Sequence, residues 1–376
     1  MGTLGNLRLG SGGTVRKRWW IAVAALLTAG LVAFALSQLD LPRVGHALIT
    51  ADPAWIALSL ALMSLAMLMR SISWHQVLRA ALPDTAIRWG PVVRATMLGV
   101  MGSAVFPGRL GEPTRVLVLA RRFEGRTSRL VPVIAGTVFS QTLINLLALG
   151  ILLAITFTSV PLLHGHVSGI AGALVVPLLI CLVVLLGPRL LQRASRARSP
   201  RLARAAGTVA RAMHLARRGL VVFARPRYGA TAIAFQLLAW ALQWLACYAV
   251  LLALSLQSHG GLVAAAAILL AVNLSAVLPA TPSNVGVFQA ACLVVLAAYG
   301  VGAGTGLAYG IILQAVEVVT ALALGVPALL REGMSWRDIR AVAESEREIE
   351  RAEQSKPERA EQSRPERAEQ SRPEPG

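Results

Sequence analysis

The chain has 376 residues, 56% of them hydrophobic and 14% charged, with 36 Lys+Arg against 18 Asp+Glu. A soluble fold needs more polar surface than this composition supplies, and no Asp, Glu, Lys or Arg occurs from Tyr228 to Val316. Because about 20 helical residues cross a bilayer, that stretch alone holds several passes, which excludes a soluble enzyme and a single-anchor protein alike.

Residues 1–18 are a basic cytoplasmic N-terminus that ends in Arg16, Lys17 and Arg18. Trp19–Gln38 follows as an apolar run opened by two interfacial tryptophans, too long for a signal peptide and without a clean cleavage site. It reads as a retained helix leaving the cytoplasm. Asp40, Arg43 and Asp52 fall in a short external loop, and Pro53–Ser73 returns to the inside, ending at Arg70, Trp74 and Arg79.

Pro91–Phe106 is too short and interrupted for a clean span. It leads through Pro107-Gly108-Arg109-Leu110-Gly111-Glu112 into a helical stretch, Thr114–Arg122. Both flanks are basic, with Arg88 and Arg94 before and Arg121, Arg122, Arg126 and Arg129 after. The positive-inside rule places both ends in the cytoplasm, so this piece dips in and comes back as a re-entrant hairpin. Val131–Phe157 then crosses outward and Ser168–Gly187 crosses inward. Residues 188–228 carry eleven arginines and no acid, the strongest cytoplasmic marker in the chain. Gly229–Leu256 crosses outward. Leu262–Leu278 and Val287–Tyr299 flank Pro279-Ala280-Thr281-Pro282-Ser283-Asn284-Val285-Gly286 as a second hairpin, uncharged and approached from outside. Thr305–Leu330 returns inward.

The expected fold is an all-α polytopic membrane protein of about six transmembrane helices plus two re-entrant broken hairpins, spanning residues 19–332. The halves repeat the order span, span, hairpin, span in opposite orientation, the hydropathy order of an inverted repeat, in which paired broken segments meet near the midplane. No sequence identity links the halves. Residues 333–376 form a charged cytoplasmic tail in which RAEQSKPE and RAEQSRPE repeat every eight residues, a composition that cannot bury enough apolar surface to fold.

The membrane zone predicts only four charged side chains: Arg109, Glu112, Arg115 and Glu317. Such groups pair or line a polar cavity. On a helix Glu112 and Arg115 share a face. One reading is a site that presents guanidinium to phosphate, with Pro107, Gly108 and Gly111 freeing backbone donors; the other is an ion pair that pins the hairpin. In the second loop Thr281, Ser283, Asn284 and Gly286 suit either an anion-attracting helix start or an ordinary capped turn. Gln141 and Asn145 share one helix face, as do Gln314 and Glu317, which suits helix–helix hydrogen bonding; Glu317 can also carry a proton or balance Arg109. Three cysteines without metal-type spacing, and His164 and His166 without a third ligand, give no metal site. No nucleophile–base set and no cofactor motif occurs, and no aromatic-interleaved basic face points to nucleic acid.

Phe106-Pro-Gly-Arg-Leu-Gly-Glu112 with Arg115, and Pro279-x-x-Pro282-x-x-x-Gly286 with Gln289, resemble the two signature loops of the lysylphosphatidylglycerol synthase transmembrane-region family, over roughly residues 15–332. In its bifunctional members this region is the lipid flippase, and a separate cytosolic domain transfers lysine from aminoacyl-tRNA to phosphatidylglycerol. The resemblance implies flipping of an anionic lipid or lipid-linked glycan in the plasma (inner) membrane, with both termini cytoplasmic. Only the repeat tail follows here, so aminoacyl transfer is not expected. The family's acid–arginine–acid pattern on the next span is replaced by Gln141, Thr142 and Asn145, and the acid after the second loop by Gln289. Rival readings are a lipid-carrier transferase using Glu112 as base, and a non-catalytic partner of an envelope lipid or glycan synthase. The protein partners left open are a second copy of the chain or an envelope-synthesis enzyme.

Overall fold

A computed structural model describes residues 41–105, 111–123, 127–159, 221–276 and 284–332. Its helices are α1 (Leu41–Thr50), α2 (Pro53–Ala81), α3 (Trp89–Val105), α4 (Gly111–Ala120), α5 (Thr127–Ser159), α6 (Pro226–Ala253), α7 (Gly261–Ser275), α8 (Val287–Ala298) and α9 (Ala303–Glu332), with a helical turn at Val221–Ala224 before α6. Four are long and apolar enough to cross a membrane: α2, the Val133–Thr156 part of α5, α6 and α9. The expected spans Trp19–Gln38 and Ser168–Gly187, the tail, and His164 and His166 lie outside the described residues.

Three expectations shift. The stretch read as an external loop between Asp40 and Asp52 holds helix α1, packed on α9, and Asp52 caps α2 by accepting from the Ala54 N–H at 2.8 Å. The next helix does not end at Ser73 but runs on to Ala81, so Arg70 lies within it rather than at its edge. The second half's long helix begins at Pro226, inside the stretch read as cytoplasmic loop.

α2 and α6 form the central pair, and they run antiparallel. Asp52 N–H bonds Ala253 O at 2.9 Å, Ser59 Oγ bonds Ala246 O at 2.9 Å, and Ser73 Oγ bonds Ala232 O at 2.8 Å. Around this pair the packing repeats. α3 packs on α4 as α7 packs on α8; α4 on α5 as α8 on α9; α3 on α9 as α7 on α5; and α2 on α3 as α6 on α7. Each of these four pairings in one half has its counterpart in the other, as in an inverted repeat.

The hairpins are approached from opposite ends. Glu332, at the end of α9, binds Arg94 at the base of α3 (2.5 Å) and Arg122 just beyond α4 (3.0 Å to Nε). At this end His75 contacts Ile87 O at 3.0 Å and the Arg79 guanidinium sits 5.5 Å over the Tyr228 ring, so the basic residues collect here. The base of α7–α8 adjoins the other end of α9, where α8 leads directly into it. At about 1.5 Å per residue the hairpin arms measure roughly 26, 15, 23 and 18 Å, each short of the ~30 Å hydrocarbon layer. Two separate apolar cores result. One joins Trp74, Leu98, Met101, Leu119 and Ile134 around the first hairpin; the other joins Leu251, Ile268, Cys292, Leu296 and Tyr309 around the second.

Candidate functional site

The first hairpin closes through glycine. A Cβ on Gly99 would lie 2.8 Å from the Gly111 carbonyl oxygen, and one on Gly111 would strike the Gly99 carbonyl oxygen and Ser103 Oγ. Gly111 thus serves backbone-to-backbone packing of α3 on α4. This contact sets the start of α4, where Glu112 and Arg115 follow one turn apart and form an ion pair. Arg115 is buried. It also donates to Gln141 Oε1 at 2.8 Å and stacks 4.8 Å over the Trp74 ring. Trp74 in turn donates to Thr137 Oγ1 at 3.1 Å.

In the second hairpin Gly286 precedes α8, and its N–H donates to Gln289 Oε1 at 2.6 Å, so this helix-start donor is already occupied. Gln289 Nε2 donates to Gln314 of α9. Asn284 ties the turn back to α7 by donating to Ser275 O at 3.3 Å. The two hairpins therefore share a plan: a side chain on the second arm bonds a glutamine on the following long helix, Arg115 with Gln141 and Gln289 with Gln314.

Between the two cores lies a cavity of about 530 Å³, within the range of small-molecule sites. Ser103 and Glu112 reach it from the first hairpin and Asn273, Asn284 and Phe288 from the second. The long helices add Arg70, Thr142, Asn145, Trp240, Gln243, Gln314, Glu317 and Thr320. Of the residues singled out by sequence, the structure brings Glu112, Asn145, Asn284, Gln314 and Glu317 to one wall system. Arg115, Gln141, Gly111, Gly286 and Gln289 stand behind it. Pro107, Gly108, Arg109, Thr281 and Ser283 lie outside the described residues.

Gln141 and Asn145 do bond across helices. Gln236 Nε2 donates to Asn145 Oδ1 at 2.5 Å, Trp240 Nε1 to the same oxygen at 3.1 Å, and Gln141 Nε2 to Gln236 Oε1 at 3.4 Å. Sequence reasoning missed Gln236, Gln243, Asn273 and above all Arg70. Gln236 and Gln243, two turns apart in an uncharged helix, were the available signal. Arg70 was hidden because a basic residue some 18 positions into a span matches the usual end of one.

Residues 19–325 match the family model of the lysylphosphatidylglycerol synthase TM region. The chain belongs to this family. No curated protein matches it. Membership in the lysylphosphatidylglycerol synthase TM family makes the chain a multi-pass membrane protein with a membrane-lipid-related role, and the match covers both hairpins and the cavity between them.

Proposed function

We propose that the protein moves an anionic phospholipid or a lipid-linked glycan across the membrane through the cavity between its hairpins. The observation that carries this reading is a cavity to which both hairpins bring polar side chains, and the hairpins are approached from opposite ends. A headgroup bound there is reachable from either leaflet when the corresponding hairpin yields. Arg109 and the polar turn residues around Thr281 and Ser283 contact the phosphate, with Asn284 and Glu112 setting the polarity of the walls. Arg115 has both guanidinium tips engaged and its face on Trp74, so it fixes Glu112 and the first hairpin in place. The basic end of the bundle faces the cytoplasm of the plasma (inner) membrane, by the charge rule that oriented the spans.

The test is lipid movement in proteoliposomes that carry an acyl-labelled fluorescent phosphatidylglycerol, read by dithionite quenching. Wild-type protein exposes inner-leaflet label within minutes, and Arg109→Ala and Glu112→Gln abolish this while leaving monodisperse protein. Unchanged movement in both variants overturns the site assignment. A second reading, a lipid-carrier transferase, is favoured by one observation: Glu112 and Glu317 line the same cavity, which supplies two carboxylates. A covalent product from a lipid-phosphate donor would select it.

A further inference from the structure

Arg70 and Gln243 occupy a special place in the repeat. Pro53 opens α2 and Pro226 opens α6, so the two helices align residue for residue with Arg70 matched to Gln243, 173 positions apart. These two matched residues bond each other: Arg70 Nη2 donates to Gln243 Oε1 at 2.9 Å. Residues that are equivalent in the repeat and also in contact must lie close to the axis relating the halves. The serine clamps agree. Ser59–Ala246 and Ser73–Ala232 are the same pair of positions seen from either half, with both hydroxyls on α2, and the crossing point lies midway between them. Arg70 stands about one turn beyond that midpoint on α2, and Gln243 about one turn beyond it on α6. Helical side chains lean toward the N-terminus, so both reach back to the crossing from opposite ends.

The guanidinium there is under-used. An arginine offers five N–H donors; Gln243 takes one, and the buried Nε has no partner. Arg70 lines the cavity, whereas Arg115 does not. Glu317 faces the same cavity and, among the described residues, has no hydrogen bond or ion pair. The site therefore holds a partly used guanidinium and an unbound carboxylate in one chamber, a geometry that a bound anion completes.

We propose that Arg70 is the mid-depth receptor for a lipid-headgroup phosphate, held in place by Gln243, with Glu317 as a counter-charge in the same chamber that opposes the phosphate. This rests on the lipid-moving reading above and assigns it a central station. From either leaflet the headgroup meets the same guanidinium at the same depth, and Glu317 keeps binding loose enough for release. A carrier site must bind well enough to load and weakly enough to unload, and a competing carboxylate does this without altering the fork.

The full chain, purified in detergent, is titrated with dihexanoyl phosphatidylglycerol and, separately, with glycerol phosphate, following heat by calorimetry. Wild type binds the short-chain lipid and binds glycerol phosphate more weakly. Arg70→Gln weakens lipid binding on the order of ten- to a hundredfold, the range for a lost hydrogen bond to a charged group. Arg70→Lys retains part of it. Glu317→Gln binds several-fold more tightly yet moves lipid more slowly in proteoliposomes, a gain that misfolding cannot imitate. Equal affinity of Arg70→Gln and wild type overturns the receptor and leaves the lipid-moving reading standing. Weaker or unchanged binding in Glu317→Gln overturns the counter-charge. Glycerol phosphate binding as tightly as the lipid overturns a headgroup site in favour of a free-phosphate one. No lipid binding by wild type overturns both readings together.

Discussion

The two hairpins occupy matched positions and are fixed by unlike chemistry. In the first, a buried arginine, its carboxylate partner and a glutamine hold α4 to α5, and glycine lets the two arms touch backbone to backbone. In the second, two glutamines hold α8 to α9, and the glycine sits on the long helix: a Cβ on Gly310 would lie 3.1 Å from Gln289 Cα. The repeat conserves the geometry of support and leaves its charge free to differ. The first hairpin is closed on itself, while the second leans on its neighbour. Behind the cavity wall, one support is thus ionic and the other amide.

Glycine substitution breaks this contrast most sharply. Gly111→Ala drives a methyl into the Gly99 carbonyl with no side chain to yield, and overpacking of this kind costs on the order of 3 kcal/mol or prevents folding. Gly286→Ala meets no atom within 4 Å and carries only the cost of a sparsely populated backbone with a positive φ of 91°, about 1–3 kcal/mol. Thermal unfolding of the two purified variants should separate them clearly. Equal loss would mean that the arms of the first hairpin are not in direct backbone contact.

Next in size is the polar support. Arg115→Ala removes the pair with Glu112, the bond to Gln141 and the stack on Trp74, for a loss of about 2–3 kcal/mol, below the full buried-pair figure because Glu112 is half open. Gln289→Ala deletes neutral hydrogen bonds and should cost about 1 kcal/mol. Replacing both Glu112 and Arg115 by Gln gives the two hairpins the same chemistry. That double variant should recover part of the Arg115→Ala loss in a melting assay, since no charge is left unpaired. A double variant less stable than the single would show that the ion pair itself, and not only its balance, supports the hairpin.

Much of this contrast was legible before the fold was known. The described span ends fall within a few residues of expectation except at Ala81, and the proline- and glycine-broken loops mark both hairpins. Glu112 and Arg115 were readable as a pair from their spacing of three. Arg70 was not, because hydropathy locates where a helix can end and α2 continues past that point on the strength of tertiary contacts such as Ser73 with Ala232. The ten residues of α1 were read as loop because they are too short to span and sit between charges, although Leu41, Val44 and Leu48 recur at helical spacing. Nor could pattern alone show that Arg115 would turn inward to Trp74 while Arg70 faced the cavity.

The smallest expected effect falls on the central pair of helices, where charge plays no part. Ser59 and Ser73 are both fully buried, and each donates to a carbonyl of α6. Those carbonyls also serve the helix ladder, so losing the serine hydroxyl leaves them satisfied, and each Ser→Ala change should cost only about 1 kcal/mol. The two sites are 14 residues apart on one helix, roughly 21 Å, so the losses should add within about 0.5 kcal/mol. The repeat carries Ser59 onto Ala232 and Ser73 onto Ala246, so both hydroxyls come from α2 and neither serine has a serine counterpart on α6. A loss in the double variant well beyond the sum of the two singles would show that the clamps act together on the α2–α6 pair.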